Sequence, residues 1–321
     1  MTRSSSFSLI LVALCLLIGT VVFAQNPATK PSDPKQQTLR RPDDPQKIGV
    51  LEVQLPISAK KSKKFLPGLT ANNFEVFEDG KPQKIEKFVA PSELPLTIAL
   101  LIDTSNSVKL KLPFEKDAGE DFIATVTTHR KKDRILLASF DSEVTLHQDF
   151  TDNQEVLIRT LRGLKAGGYT KLYDGVYRVI EEKMSNAQNQ DTRRIIVVLS
   201  DGEDTASQRS LRDAIEMGQR YDVTVFGIST KNFRGVDSGM VENADDKDLR
   251  RLCEETGGQV FLPSQKLELF RCFSEVAQDL RHEYVIFYTP TNQAKAGKKR
   301  EIRVKLVGAD AHLFHKQGYV Y

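Results

Sequence analysis

Residues Leu96 to Ile102 form a nearly unbroken apolar run that stops abruptly at Asp103, Ser105 and Ser107. A strand that is apolar on both faces has no side for solvent, so it belongs inside a parallel sheet covered by helices above and below. The runs Ile195 to Leu199 and Val223 to Ile228 have the same character. Candidate strands are Leu96 to Ile102, Arg134 to Phe140, Glu143 to His147, Arg194 to Leu199, Val223 to Ile228 and Gln259 to Leu262. Candidate helices are Phe114 to Thr127, Gln154 to Arg162, Leu172 to Met184, Gln208 to Arg220, Asp246 to Thr256 and Leu267 to His282. Strands alternating with amphipathic helices specify an α/β fold with a doubly wound, Rossmann-like sheet. A tight turn at Phe140 to Ser142 makes Glu143 to His147 one antiparallel edge strand on that sheet.

The flanks follow a different period. Between Lys47 and Ala90, short alternating runs surround an Asp79-Gly80 turn, a strong hairpin signal. After His282 the alternation returns in Tyr284-Ile286-Tyr288, in Ile302-Val304-Leu306 and in Leu313 to Tyr321. Neither segment buries much surface alone, so residues 283–321 are expected to pair with residues 47–90 into a small β-sandwich beside an α/β domain at 94–282. Ahead of them, Arg3 precedes an apolar stretch from Leu9 to Phe23 and a Val22-Phe23-Ala24 sequence before Gln25. That is the composition of a signal peptide cut after Ala24, which makes the protein secreted or periplasmic. The alternative is an uncleaved anchor, although the stretch falls short of the roughly 20 residues that span a bilayer. Residues 25–46 hold five prolines among polar residues and read as an extended linker.

Charge narrows the partners. Forty-six Lys and Arg against 43 Asp and Glu leave a formal +3, and removing Arg3 with the leader leaves +2. That balance excludes an electrostatic footprint for nucleic acid. The Lys-rich stretches Lys60 to Lys64 and Lys295 to Arg300 are expected to be solvated hairpin tips. Cys253 and Cys272 remain in the exported chain, as a disulfide or as two buried thiols, and neither has a histidine at metal-ligand spacing.

Open α/β sheets bind ligands at the carboxyl ends of their strands, where Asp103, Ser105 and Ser107 stand. Asp201, followed by Gly202, ends a second apolar strand, and Thr170 follows Gly167-Gly168 just before a helix. Singly these are an ordinary turn, an ordinary cap and an ordinary strand end. Together, two carboxylates and three hydroxyls suit a hard divalent cation.

In this order the pattern Asp-x-Ser-x-Ser, then Thr, then Asp-Gly resembles the metal-ion-dependent adhesion site of von Willebrand factor type A (VWA) domains, over about Leu94 to His282. Leu69-Thr70 and Asn73 to Pro82 ahead of the domain, with Tyr284 to Pro290 and Gly318-Tyr319 behind it, resemble the exported bacterial VWFA-related acidobacterial proteins. The resemblance implies Mg²⁺ or Mn²⁺ touched directly by Ser105, Ser107 and Thr170. Asp103 and Asp201 would act through bound water or exchange into the metal's shell, with Asp174, Glu203 and Asp204 as further candidates. Because neutral hydroxyls leave the ion's charge largely unquenched, it implies an open position that attracts an Asp or Glu of a partner protein. In related domains the last helix, here Leu267 to His282, moves when an acidic ligand completes the metal shell.

Three other readings compete with this non-enzymatic one: a scaffold, a hydrolase and a nucleotide-binding domain. A scaffold with an idle metal site fits the same residues. A metal-dependent hydrolase of the haloacid-dehalogenase type wants a second Asp where Ser105 stands. A Ser-His-Asp enzyme would need Gly-x-Ser-x-Gly or an equivalent, and His129, His147, His282, His312 and His315 have no suggestive context. Neither Gly-x-Gly-x-x-Gly nor a phosphate-cradling loop follows a strand.

Overall fold

Alternating apolar residues shape the first strands, β1 (Val53–Lys61), β2 (Lys64–Phe65), β3 (Phe74–Glu78), β4 (Lys81–Gln83) and β5 (Lys87–Val89). The computed structural model describes residues 52–62, 64–91, 94–129, 132–185, 192–231, 244–291 and 298–320, all within one compact unit. The expected leader, the Pro-rich linker and half of the second Lys-rich tip lie outside the described residues. Asp79 and Gly80 join β3 to β4 with φ of 48° and 77°, the pair of left-handed residues that a two-residue hairpin turn requires.

The α/β part follows. Its strands are β6 (Leu96–Asp103), β7 (Arg134–Phe140), β8 (Val144–Thr151), β9 (Arg193–Ser200), β10 (Val223–Ser229) and β11 (Val260–Phe261). Its helices are α1 (Leu112–His129), α2 (Gln154–Gly163), α3 (Leu172–Val179), α4 (Leu211–Arg220), α5 (Ala244–Thr256) and α6 (Lys266–His282). The sheet order is β11-β10-β9-β6-β7-β8, parallel throughout except for β8 at one edge. Every residue of β6, β9 and β10 is buried. Ile98, Leu100 and Ile102 face α1, α2 and α6, while Ala99 and Leu101 face α3, α4 and α5. From β6 the chain crosses to β7 on one side, and from β9 it crosses to β10 on the other. The gap between the ends of β6 and β9 is therefore the switch point where such a sheet opens a crevice.

Three elements differ from expectation by more than two residues at one end or in helix type. β8 runs to Thr151, past a register shift opposite Ile135 and Leu137. α4 starts at Leu211 rather than Gln208: Ser210 and Asp213 form a capping box there, and Asp174 accepts from the backbone N–H groups of Gln208 and Arg209 in the loop ahead of it. α3 passes into a π turn at Ile180–Met184. Leu172, Val176, Ile180 and Met184 are all buried at intervals of four, and a wider turn keeps such a row on one face where an α-helix would rotate it away.

The tail contributes β12 (Tyr284–Tyr288), β13 (Lys299–Leu306), β14 (His312–Phe314) and β15 (Gly318–Val320). One sheet has the order β14-β1-β12-β5, with β2 also on β1, and the other is β15-β13-β3-β4. Each sheet draws strands from both ends of the chain, so the fold class is the expected one. Leu55, Ile57, Phe74, Val76, Ile286 and Val304 fill the space between them.

Two of the cationic residues read as solvated tips are not. Arg300 is buried against Glu78, whose other oxygen accepts from the Tyr288 and Tyr319 hydroxyls at 2.8 Å and 3.0 Å. Lys60 reaches Asp279 of α6 at 2.6 Å. Strand alternation carries Arg300 inward in phase with Ile302 and Val304, whereas Lys60 lies on the face of β1 opposite Leu55, Ile57 and Ala59; each meets a buried carboxylate. Cys253 and Cys272 are free thiols on opposite faces of the α/β sheet, which settles them as core residues. Among the described residues no helix is long and apolar enough to cross a membrane.

The buried and the exposed ion pairs differ in worth. Glu78→Gln leaves Arg300 charged in the sandwich core and should lower unfolding stability by about 3 to 5 kcal/mol. Glu182→Gln, at the half-exposed Arg178–Glu182 pair, should change it by less than about 0.5 kcal/mol. Urea unfolding of the two variants checks the contrast.

Candidate metal centre

Asp103 closes β6 with no exposed surface, because every residue before it is committed to the sheet. Its Oδ1 accepts from the Ser105 N–H at 2.8 Å and its Oδ2 from the Ser200 hydroxyl at 2.7 Å. Burial pushes its carboxyl up to about 6, against these hydrogen bonds, and the charge of Asp201 adds to the rise. Ser105 is buried too, and its hydroxyl lies 2.8 Å from that of Ser107, which stands in a single 3₁₀ turn.

Two backbone bonds dock the next loop on this one, from Asn106 N–H to Gly168 O at 3.1 Å and from Gly167 N–H to Thr104 O at 2.7 Å. Of the two glycines, Gly168 is the one that the site requires. It has φ of 83°, and a Cβ there would stand 2.6 Å from the Ser142 hydroxyl, whereas one at Gly167 would meet open space. Thr170 follows, buried, and its carbonyl accepts from the N–H groups of Thr205 and Ala206 at 3.0 Å each. The loop after β9 is thereby tied to the loop before α3.

Asp201 is the first residue beyond β9. Its Oδ1 is buried without a hydrogen-bond partner, and its Oδ2 lies 3.9 Å from the Lys111 ammonium. The structure thus gathers Asp103, Ser105, Ser107, Thr170 and Asp201 on three interlocked loops at the switch point of the sheet. Among the described residues no three His, Cys, Asp or Glu side chains cluster at metal-binding distance, so any cation here depends on hydroxyls. A buried carboxylate oxygen without a donor at the end of β9, and two adjacent hydroxyls in the loop after the neighbouring β6, fit an oxygen-seeking divalent ion.

The other acidic candidates are occupied in building the loops. Asp204 accepts from the Tyr173 N–H and from Ser207, Asp174 caps the residues ahead of α4, and Glu203 pairs with Lys231 at 2.9 Å.

Sequence reasoning missed Ser200, Lys111 and Glu115. Glu115 lies in the first turn of α1, 1% exposed, and neither carboxylate oxygen has a hydrogen bond. Burial pushes its carboxyl up to about 8; the Thr230 hydroxyl and Lys111 oppose the shift, while Asp103 and Asp201 add to it. The signal was available, because Glu115 falls midway between the buried Leu112 and Ala118, on the inward stripe of an amphipathic helix.

Residues 97–271, more than half of the chain, match the model of the von Willebrand factor type A domain. The chain belongs to the von Willebrand factor type A family. It is 28% identical to mouse (Mus musculus) integrin alpha-M over 142 residues, which are 42% of this chain and 12% of the integrin. Among solved structures it is similar to the mussel byssus proximal thread matrix protein 1 with a zinc-occupied MIDAS motif. That likeness has a TM-score of 0.47 and 18% identity, over 60% of this chain and 49% of that one. It is also similar to a von Willebrand factor type A structure from Catenulispora acidiphila, at a TM-score of 0.46 and 13% identity, over 78% of this chain and 74% of that one. The chain spans about half the length of the mussel protein.

Two buried carboxyls at this site, those of Asp103 and Glu115, make the stability of the metal-free VWA domain depend on pH. Both are raised above ordinary values of 3.8 and 4.5 in the fold, so each stabilises it when protonated. That contribution is complete below about pH 4 and is lost as pH rises through about 6 for Asp103 and about 8 for Glu115. In EDTA the melting temperature should fall between pH 5 and pH 8. Glu115→Gln should remove the upper part of that fall and stabilise the protein at pH 8 by roughly 2 to 4 kcal/mol. A melting series against pH for both proteins checks it.

Proposed function

We propose that this VWA protein is an exported binding module that holds Mg²⁺ or Mn²⁺ at the switch point and uses it to engage an acidic side chain of a partner protein. The observation that carries the reading is the buried Asp201 Oδ1, which lacks a hydrogen-bond donor. Ser105, Ser107 and Thr170 are the direct ligands in this reading, with Asp103 and Asp201 acting through water or entering by exchange.

The division of labour follows from the side chains themselves. Asp103 has both oxygens engaged by Ser105 and Ser200, so it orients the loop and supplies negative charge from behind. The hydroxyls are neutral. A cation held by them would present an electrophilic pole to a carboxylate from outside. Leu110, beside the Ser107 turn, and Tyr169, beside Thr170, are 87% and 71% exposed, which supplies apolar contact for a protein surface around that carboxylate. The apolar leader and Pro-rich spacer support placement outside the cytoplasm.

Binding to the folded state alone adds about 2.7 kcal/mol at a hundredfold excess over the dissociation constant. Thermal unfolding in EDTA and in a Mg²⁺ or Mn²⁺ series should show that gain for the wild type, and should show none for Asp103→Ala and Thr170→Ala. A gain retained by both variants would place the cation elsewhere. No gain in the wild type would favour a scaffold with an idle site.

A further inference from the structure

We infer that Lys111 is a tethered competitor of the divalent cation: its ammonium balances the carboxylates of the metal-free site and has to yield before an ion binds tightly. The inference rests on the metal-site reading above and concerns how that site is regulated.

Lys111 immediately precedes α1, four residues beyond Ser107, and its ammonium lies 3.9 Å from Asp201 Oδ2. Both side chains are sequestered, at 11% and 6% exposure, so bulk water screens the pair poorly. Glu115 stands one turn further on, its backbone N–H bonded to the Lys111 carbonyl at 3.1 Å. Three buried carboxylates, those of Asp103, Asp201 and Glu115, therefore share one neighbourhood with one lysine.

The distance sets the kind of hold that Asp201 has on the lysine. At 3.9 Å the ammonium is outside hydrogen-bonding range of Asp201, so the attraction between these two groups is one of charge, on a flexible four-carbon stem. A divalent ion brings twice the charge to the same carboxylate at closer range and wins the exchange. The lysine has a place to go, because Glu115, in the first turn of α1, has neither carboxyl oxygen in a hydrogen bond. Until it moves, its positive charge lowers the affinity of the site for any second cation.

The experiment titrates the full chain with Mn²⁺ and reads free Mn²⁺ by electron paramagnetic resonance. It compares wild type with Lys111→Met, Lys111→Gln and Lys111→Arg, alongside melting in EDTA. Removing the charge should tighten Mn²⁺ binding by about tenfold or more in Lys111→Met and Lys111→Gln, and should lower their melting temperatures in EDTA. Lys111→Arg, which keeps the charge, should stay within about threefold of the wild type. Tight binding by Lys111→Met where the wild type binds weakly or not at all would support the inference most strongly. Equal or weaker binding by both neutral variants beside a wild type that binds Mn²⁺ would overturn the role of Lys111 and leave the metal site standing. If one neutral variant fails to fold, the other decides. Absence of Mn²⁺ binding in all four proteins would overturn the metal-site reading, and this inference with it.

Discussion

β6 and β9 lie side by side with no residue exposed, and this burial on both faces is the constraint on which the rest of the molecule depends. Within such strands a charged side chain has no water and no room, so acidic residues enter only where the strands stop. Asp103 and Asp201 stand at those two ends, brought together because the chain diverges there toward β7 and β10. Their burial is a cost that the surroundings offset in different ways. Asp103 is satisfied by Ser105 and Ser200, whereas Asp201 is left with one oxygen lacking a donor and the other facing Lys111. The crevice carries excess negative charge because the sheet forces carboxylates into it faster than local hydrogen bonds can serve them.

The parts legible in the sequence are those where one residue's pattern decides the outcome. Thr97 to Ile102 and Ile195 to Leu199 allow no reading other than buried strands, and the alternation around Asp79-Gly80 specifies a hairpin. The loop residues Asp103, Ser105, Ser107, Thr170 and Asp201 were visible because each sits a fixed short distance from such an element. What stayed hidden depends on contacts between distant segments. Lys60 and Arg300 read as solvated because nothing near them in the chain reveals Asp279 or Glu78, more than 200 residues away. The loop ahead of α4 is likewise held from a distance, by Asp174 accepting from the Gln208 and Arg209 N–H groups. Glu115 was passed over because a glutamate in a first helical turn is ordinarily a dipole partner in water, and only its place on the apolar stripe marks it as buried.

The same long-range contacts bear on what α6 can do. In related domains the corresponding helix moves with ligand, and here α6 runs through Glu283 directly into β12. Its carboxyl-terminal end is held on three sides. Asp279 pairs with Lys60 of β1 at 2.6 Å, Arg281 pairs with Asp133 ahead of β7 at 2.5 Å, and Glu283 pairs with the buried Arg193 of β9. Asp133 is itself held by the N–H of Leu96 at 2.8 Å, which extends the clasp to the start of β6. Separating any one of these buried pairs leaves a charge without its partner, at roughly 3 to 5 kcal/mol each. Coupling between two sites is typically worth 1 to 3 kcal/mol, so ligand binding at the crevice cannot break the clasp as a whole. The amino-terminal end of α6 is different: Lys266 meets Asp117 at 3.1 Å with both side chains about half exposed, an attraction worth less than about 1 kcal/mol. If the proposed site takes a ligand, any movement of α6 is expected in its first turn, ahead of the buried Leu269, with the last turns and the β-sandwich fixed on each other.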